Sequence, residues 1–142
     1  MRTSEQVRWD FVQSWLKKAS QDLRAASILV EEEFDDYNTS AFHAQQASEK
    51  FLKAFLVRHQ VEFPKTHDIK ELRDLVAHVD RKLAEELSSA DELTPYGVEF
   101  RYPGELQPVD REDARNGLMT AEGVKEAILR AIEDYLNAGR SA

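Results

Sequence analysis

The stretch AFHAQQASEKFLKAFLVRH, residues 41–59, decides the fold of this 142-residue chain. Its apolar residues recur every three or four positions without an interrupting Gly or Pro, and this period indicates an amphipathic helix. They are Ala44, Ala47, Phe51, Ala54, Phe55 and Leu56. Because half of these side chains are only a methyl group, the sequence predicts that a second helix approaches this face closely.

Helical periods also flank this stretch on both sides. A longer run lies between Val7 and Glu33, a shorter one follows Asp68, and the last follows Asp110 and continues almost to the C-terminus. No segment alternates apolar and polar residues between hairpin turns, and no internal repeat is evident. The sequence therefore predicts an all-α protein, an antiparallel up-and-down bundle of four to five helices, forming one domain over residues 1–142.

The connections between these helices carry distinct signals. The acidic residues of segment 31–36 lie at the C-terminal end of the first helix, where the helix dipole disfavours negative charge, and predict fraying and a loop. Asn38, Thr39 and Ser40 offer N-cap side chains to the second helix. Segment 91–109 contains three Pro and two Gly without a sustained period, so it is predicted to be an ordered but irregular loop.

Composition excludes several classes of function. The 19 Lys and Arg against 27 Asp and Glu give 19 − 27 = −8, which opposes general attraction to nucleic acid and to anionic membranes. With no Cys, disulfides and thiolate chemistry are impossible. No apolar run is long enough to span a membrane, and the chain starts without a secretory h-region. We therefore expect a cytoplasmic protein without a membrane partner.

Polar residues interrupt the apolar faces at one place. Asp22 shares its helix face with small apolar residues, where a carboxylate needs a partner. On the next helix His43, Gln46, Lys50 and Lys53 are spaced by three or four and form a polar stripe. Asp22 is expected to pair with Lys50, His43 or the Gln46 amide. This network either fixes the helix register or forms a small site in which the lysines contact a phosphate.

Two further positions are candidates. His67 precedes the third helix, where either a phosphate binds at the helix N-terminus or Asp68 simply caps it. Arg101 and Tyr102 lie in the irregular loop. In one alternative, Arg101 forms a salt bridge with Asp22 or Glu49 that fixes the loop. In the other, Arg101 contacts a phosphate and Tyr102 stacks on a base. No phosphate-binding glycine motif or metal-binding motif occurs, so we expect neither a cofactor nor a metal.

The order and spacing of these segments resemble the HEPN domain family (higher eukaryotes and prokaryotes nucleotide-binding). The segments are WLKKA at 15–19, DLRAA at 22–26, FHAQQASEKFLKA at 42–54, THD at 66–68 and RYP at 101–103. The likeness covers the chain from about Trp15 into the last helix, and HAQQASEK is its most specific part. It implies a helical bundle, commonly a homodimer, that often accompanies a minimal nucleotidyltransferase and is proposed to bind nucleotides.

Many relatives are ribonucleases of toxin–antitoxin systems, with an Arg followed within a few residues by a His at the start of the last helix. No histidine follows Arg101 in this chain, so it resembles a branch with an Arg-Tyr-Pro loop. The resemblance thus favours a non-catalytic dimeric module that binds a nucleotide or partners a nucleotidyltransferase. The acidic charge balance argues against nucleic acid as a ligand, because an RNA-cleaving surface usually carries a basic stripe. The alternative is a ribonuclease toxin whose catalytic base has moved, for instance to His43 or His67.

Overall fold

The computed structural model describes residues 1–97 and 108–142, and these residues form helices and connecting segments without any strand. The α-helices are α1 (Ser4–Leu29), α2 (Asn38–Arg58), α3 (Ile69–Val79), α4 (Arg81–Glu86), α5 (Arg111–Ala131) and α6 (Glu133–Ala138). A 3₁₀ helix, Ser88–Gly97, follows α4. The predicted all-α bundle is confirmed.

Contacts along α1 and α2 define an antiparallel pair. The Ser40 hydroxyl at the start of α2 donates to the carbonyl of Ala26 near the end of α1, at 2.9 Å. Further along α2, the ammonium of Lys53 lies 5.3 Å from the centre of the Trp15 ring, in the first half of α1. The alanines that the sequence placed on these faces are fully buried, which allows the close approach of the two helices.

The fifth helix runs in the same direction as α2. At one end, the backbone amide of Tyr37 donates to the carbonyl of Val109 at 2.8 Å. At the other end, the guanidinium of Arg58 lies 4.3 Å from the centre of the Tyr135 ring in α6. Both α2 and the segment α5–α6 are therefore antiparallel to α1, as an up-and-down bundle requires.

The core surrounds α2. Phe51, Leu52, Phe55 and Leu56 are each at most 2% exposed, and each contributes about 1.5–3 kcal/mol by leaving water. Their cluster includes Leu72 and Val76 of α3 and Val124 and Ile128 of α5. Because α2 is covered on several sides, polar groups on this helix that do not reach the surface must find partners inside the protein.

Two local expectations differ from the structure. Helix α2 begins at Asn38 with Tyr37 as its N-cap and without a side-chain cap, because the Ser40 hydroxyl bonds to α1 instead. Segment 91–109 is not irregular from its start, since the 3₁₀ helix continues to Gly97. Among the described helices, none is both long and apolar enough to cross a membrane.

Candidate functional site

Polar side chains of α1, α2 and the segment before α3 form a cluster with two halves, each built around one carboxylate. Asp22 is the carboxylate of the first half. Its Oδ1 lies 2.9 Å from His43 Nδ1, and Lys50 Nζ donates to its Oδ2. His43 and Lys50 are seven residues apart on α2, which is about two turns and places both on the face toward α1. The side chains of Asp22, Lys50 and His43 are 14%, 21% and 28% exposed, so this half reaches the surface.

Opposing effects act on the Asp22 carboxyl. Its burial raises the pKa, while the hydrogen bonds from His43 and Lys50, together with the positive charge of Lys50, lower it. The lowering effects win, so the pKa of Asp22 lies below its ordinary value and the carboxylate is ionised at neutral pH. A charged Asp22 therefore fixes the positions of the imidazole and the ammonium that contact it.

Glu49 is the centre of the second half and is almost completely buried, with a side chain 2% exposed. It accepts from Lys53 Nζ at 2.8 Å and from Gln46 Nε2 at 3.2 Å, and its Oε1 lies 3.0 Å from His67 Nδ1. The His67 side chain is 71% exposed. One buried carboxylate therefore connects α2 to the segment that precedes α3.

Lys53 is enclosed. Its ammonium lies 5.3 Å from the centre of the Trp15 ring and 5.8 Å from the centre of the Phe63 ring, and its side chain is 11% exposed. The ring faces and Glu49 together compensate for the lost hydration of the charge. In this arrangement Lys53 holds Glu49 in position, whereas Lys50 lies nearer the surface.

Gln45, which is fully buried, is a residue that the sequence pattern did not indicate. Its Nε2 donates to the carbonyl of His67 at 3.0 Å, and its Oε1 accepts from Gln46 at 2.6 Å. A Cβ atom added to Gly97 would lie only 2.7 Å from the Gln45 carboxamide carbon, so the 3₁₀ helix packs directly on this amide. The spacing of Gln45, Glu49 and Lys53 by four was the available signal.

Some of the predicted contacts occur in the structure, and others are replaced by different partners. Asp22 pairs with His43 and Lys50 as expected, whereas the Gln46 amide bonds to Glu49 and Gln45 instead of Asp22. At His67, Asp68 caps α3 by accepting from Lys70 N at 3.0 Å, while His67 itself contacts Glu49. Arg101 and Tyr102 lie outside the described residues.

The chemistry of the cluster follows from its layering. The two carboxylates lie underneath, and His43, Lys50 and His67 lie above them nearer the solvent. Each histidine contacts its carboxylate through Nδ1, which leaves the Nε2 edge for another partner. Within residues 1–97 and 108–142, carboxylates and histidines form no group of three suited to a metal ion.

Comparison with known proteins identifies the family. The model of the HEPN domain matches residues 12–132, most of the chain. The chain belongs to the HEPN family. The match includes most of α1 and all of α2 and α5, and hence all the residues of the polar cluster that the structure describes. The resemblance that the motifs of α1 and α2 indicated is therefore confirmed.

Two relatives are similar to this HEPN protein over most of its length. A protein of Methanocaldococcus jannaschii named "Putative toxin MJ1304" is 29% identical over 140 residues, which cover 89% of this chain and 88% of the relative. The crystal structure of TT1696 from Thermus thermophilus is 30% identical with a TM-score of 0.63, and covers 84% of this chain and 96% of its own. Both similarities extend over the whole bundle and not over one helix pair.

Proposed function

We propose that this HEPN protein is a non-catalytic dimeric module, one domain over residues 1–142, that binds a nucleotide beside α2 and partners a minimal nucleotidyltransferase. The observation that supports the nucleotide site is the Asp22 triad. One ionised carboxylate holds the His43 imidazole and the Lys50 ammonium side by side, partly exposed. Donors fixed in this way bind a phosphate without losing further side-chain entropy.

Each candidate has a distinct role in this proposal. His43, through Nε2, and Lys50 contact a phosphate, and Asp22 orients both. His67 is a second donor at the exposed edge, oriented by Glu49, which Lys53 holds in place.

The remaining candidate residues contact the other parts of the nucleotide. The Gln46 carboxamide lies between His43 and Lys50 on the same helix face and offers its oxygen to a ribose hydroxyl. From the segment outside the described residues, Arg101 contributes a second cation and Tyr102 a ring that stacks on the base. The partner half of the proposal rests on the family resemblance, which includes proteins of toxin–antitoxin systems, and the relative named "Putative toxin MJ1304" is in keeping with it.

Isothermal titration with ATP tests the nucleotide site. We expect saturable heat at sub-millimolar ATP for the wild type, and binding about tenfold weaker for Lys50→Met, because a charge-assisted hydrogen bond is lost. Lys70→Met is the matched control, since Lys70 is exposed on α3 and pairs only with Asp74 there. Absence of heat in the wild type would contradict the nucleotide site.

A specific observation favours a second candidate, the ribonuclease toxin with a displaced base. Two separate carboxylate–imidazole pairs, Asp22–His43 and Glu49–His67, hold each imidazole in an orientation that suits a general base. RNA incubated with the protein and a metal chelator tests this function. Cleavage that is lost in His43→Ala and in Arg101→Ala, and kept in the exposed control His78→Ala, would support it. An inert wild type would end it.

A further inference from the structure

The connection between α1 and α2 is strongly acidic. Residues 31–36 read EEEFDD and are all exposed. The start of α5 lies beside them, because Val109 O accepts from Tyr37 N at 2.8 Å, and this start adds Asp110, Glu112 and Asp113. Eight carboxylates therefore lie at one end of the bundle.

Phe34 projects from the middle of this acidic surface. It remains 48% exposed, and its ring forms an edge-to-face pair with the Tyr37 ring, with 6.0 Å between ring centres. Beside it lies a cleft of about 160 Å³, lined by Leu29, Phe34, Asp36, Tyr37, Thr39 and Ser40. A large apolar side chain beside an open, largely apolar cleft is typical of a contact point for another protein.

The segment is a loop, as the sequence predicted, but hydrogen bonds hold it in place where fraying was expected. The Tyr37 hydroxyl donates to Glu32 O at 2.9 Å and accepts from Phe34 N at 3.3 Å. Arg111 donates to the same Glu32 carbonyl at 2.8 Å and lies over the Tyr37 ring. The Asp36 carboxylate accepts from the backbone amides of Asn38 and Val109. Phe34 is thus presented by an ordered turn, which lowers the entropy lost on binding.

We infer that this acidic end, residues 31–37 with the start of α5, is the docking surface for a protein partner that inserts an apolar side chain beside Phe34 and flanks it with Lys or Arg. Charge selects this occupant: eight carboxylates attract a basic segment and repel RNA, an anionic membrane and the same end of a second copy. The inference rests on the part of the proposed function that concerns a protein partner. It specifies that the partner's contact segment is basic and carries an apolar side chain.

A synthetic amphipathic peptide of Lys and Leu, labelled for fluorescence anisotropy, is the probe. We expect saturable binding to the wild-type protein, about tenfold weaker for Phe34→Ala, and weaker by a similar factor when Glu31, Glu32 and Glu33 are all changed to Gln. Phe11→Ala is the matched control, because Phe11 is 58% exposed on α1, and it should bind like the wild type. Amide chemical shifts should move at residues 29–40.

Several outcomes would overturn the inference. They are absence of saturable binding, unchanged affinity in Phe34→Ala, and equal affinity for a peptide in which every Leu is replaced by Ser, since that peptide tests charge alone. The same samples are titrated with ATP. If ATP binds but the peptide does not, only this docking surface is refuted. If the peptide binds but ATP does not, only the nucleotide site is refuted. Circular dichroism checks that each variant is folded.

Discussion

The two carboxylates of the polar cluster differ in depth and in what they connect. Asp22 on α1 is 14% exposed and connects to α2 through His43 and Lys50. Glu49 on α2 is 2% exposed and contacts Lys53 on its own helix and His67 in the next connection. The same pairing of a carboxylate with a lysine and a histidine thus occurs once near the surface and once in the interior.

Because of this difference, we expect the Asp22 half to bind a ligand and the Glu49 half to stabilise the fold. Near the surface, the donors around Asp22 keep access to solvent and to a ligand, and losing one interaction is partly compensated by water. In the interior, the contacts that the described residues make with the Lys53 ammonium are Glu49 and two aromatic rings, so removing either charge leaves the other desolvated. We therefore expect mutations at Glu49 to affect folding and mutations around Asp22 to affect binding.

The largest effect is expected for Glu49→Gln. This change removes the charge but keeps the shape, and it leaves the buried Lys53 ammonium unpaired, at a cost of about 3–5 kcal/mol in the free energy of unfolding. Urea denaturation measures it. The double variant Glu49→Gln with Lys53→Met should recover most of the loss, because no buried charge remains. A cost below about 1 kcal/mol for the single variant would refute the contrast with Asp22.

Gly97→Ala probes the packing of the same buried half. Its Cβ would lie 2.7 Å from the Gln45 carboxamide, which cannot move without breaking its bond to the His67 carbonyl. Overpacking of this kind costs about 1–3 kcal/mol. Gly123→Ala is the matched control, since a Cβ there meets no atom within 4 Å, and helix propensity predicts about 0.5–1 kcal/mol of stabilisation. Equal effects from the two changes would show that Gln45 is not tightly packed.

Sequence periodicity could predict the fold and the Asp22 half of the cluster. The period of α1 and α2 defines which residues share a face, and two antiparallel faces bring Asp22 opposite His43 and Lys50. Those positions depend on helix geometry alone. Capping residues also predicted the helix starts at Asp68 and Asp110, where these side chains cap the first turn.

The Glu49 half depends on contacts that no period encodes. His67 reaches Glu49 because segment 59–68 folds back along α2, where Phe63 packs on Trp15. Gln45 is fixed by its contact with Gly97, more than 50 residues later. The sequence also predicted fraying at residues 31–36 from the helix dipole. Hydrogen bonds to Tyr37 and Arg111 outweigh that local effect.

A smaller effect is expected for Asp22→Asn, about 1–2 kcal/mol at neutral pH, because the contacts with His43 and Lys50 are both weakened but lie at a partly exposed site. The pKa of Asp22 is lower in the folded protein than its ordinary value of 3.8. Its stabilisation is therefore complete above pH 4, roughly, and is lost as the pH falls through the lower folded value. Urea titrations at pH 7 and pH 3 should show that the difference between wild type and variant shrinks in acid. A difference that is constant with pH would contradict the ionised Asp22.

The smallest effect concerns His59, a histidine without a carboxylate hydrogen bond among the described residues, whose ring packs 4.5 Å from the Phe55 ring. Burial lowers its pKa below the ordinary 6.5, and the charge of Arg58 lowers it further. Because the unfolded chain takes up the proton first, its contribution is complete above pH 6.5 and is lost as the pH falls toward the folded value. From pH 7.5 to 5, His59→Gln should therefore lose less stability than the wild type, by about 1 kcal/mol or less, whereas the exposed control His78→Gln should follow the wild type. If His59→Gln also followed the wild type, the lowered pKa of the packed His59 ring would be contradicted.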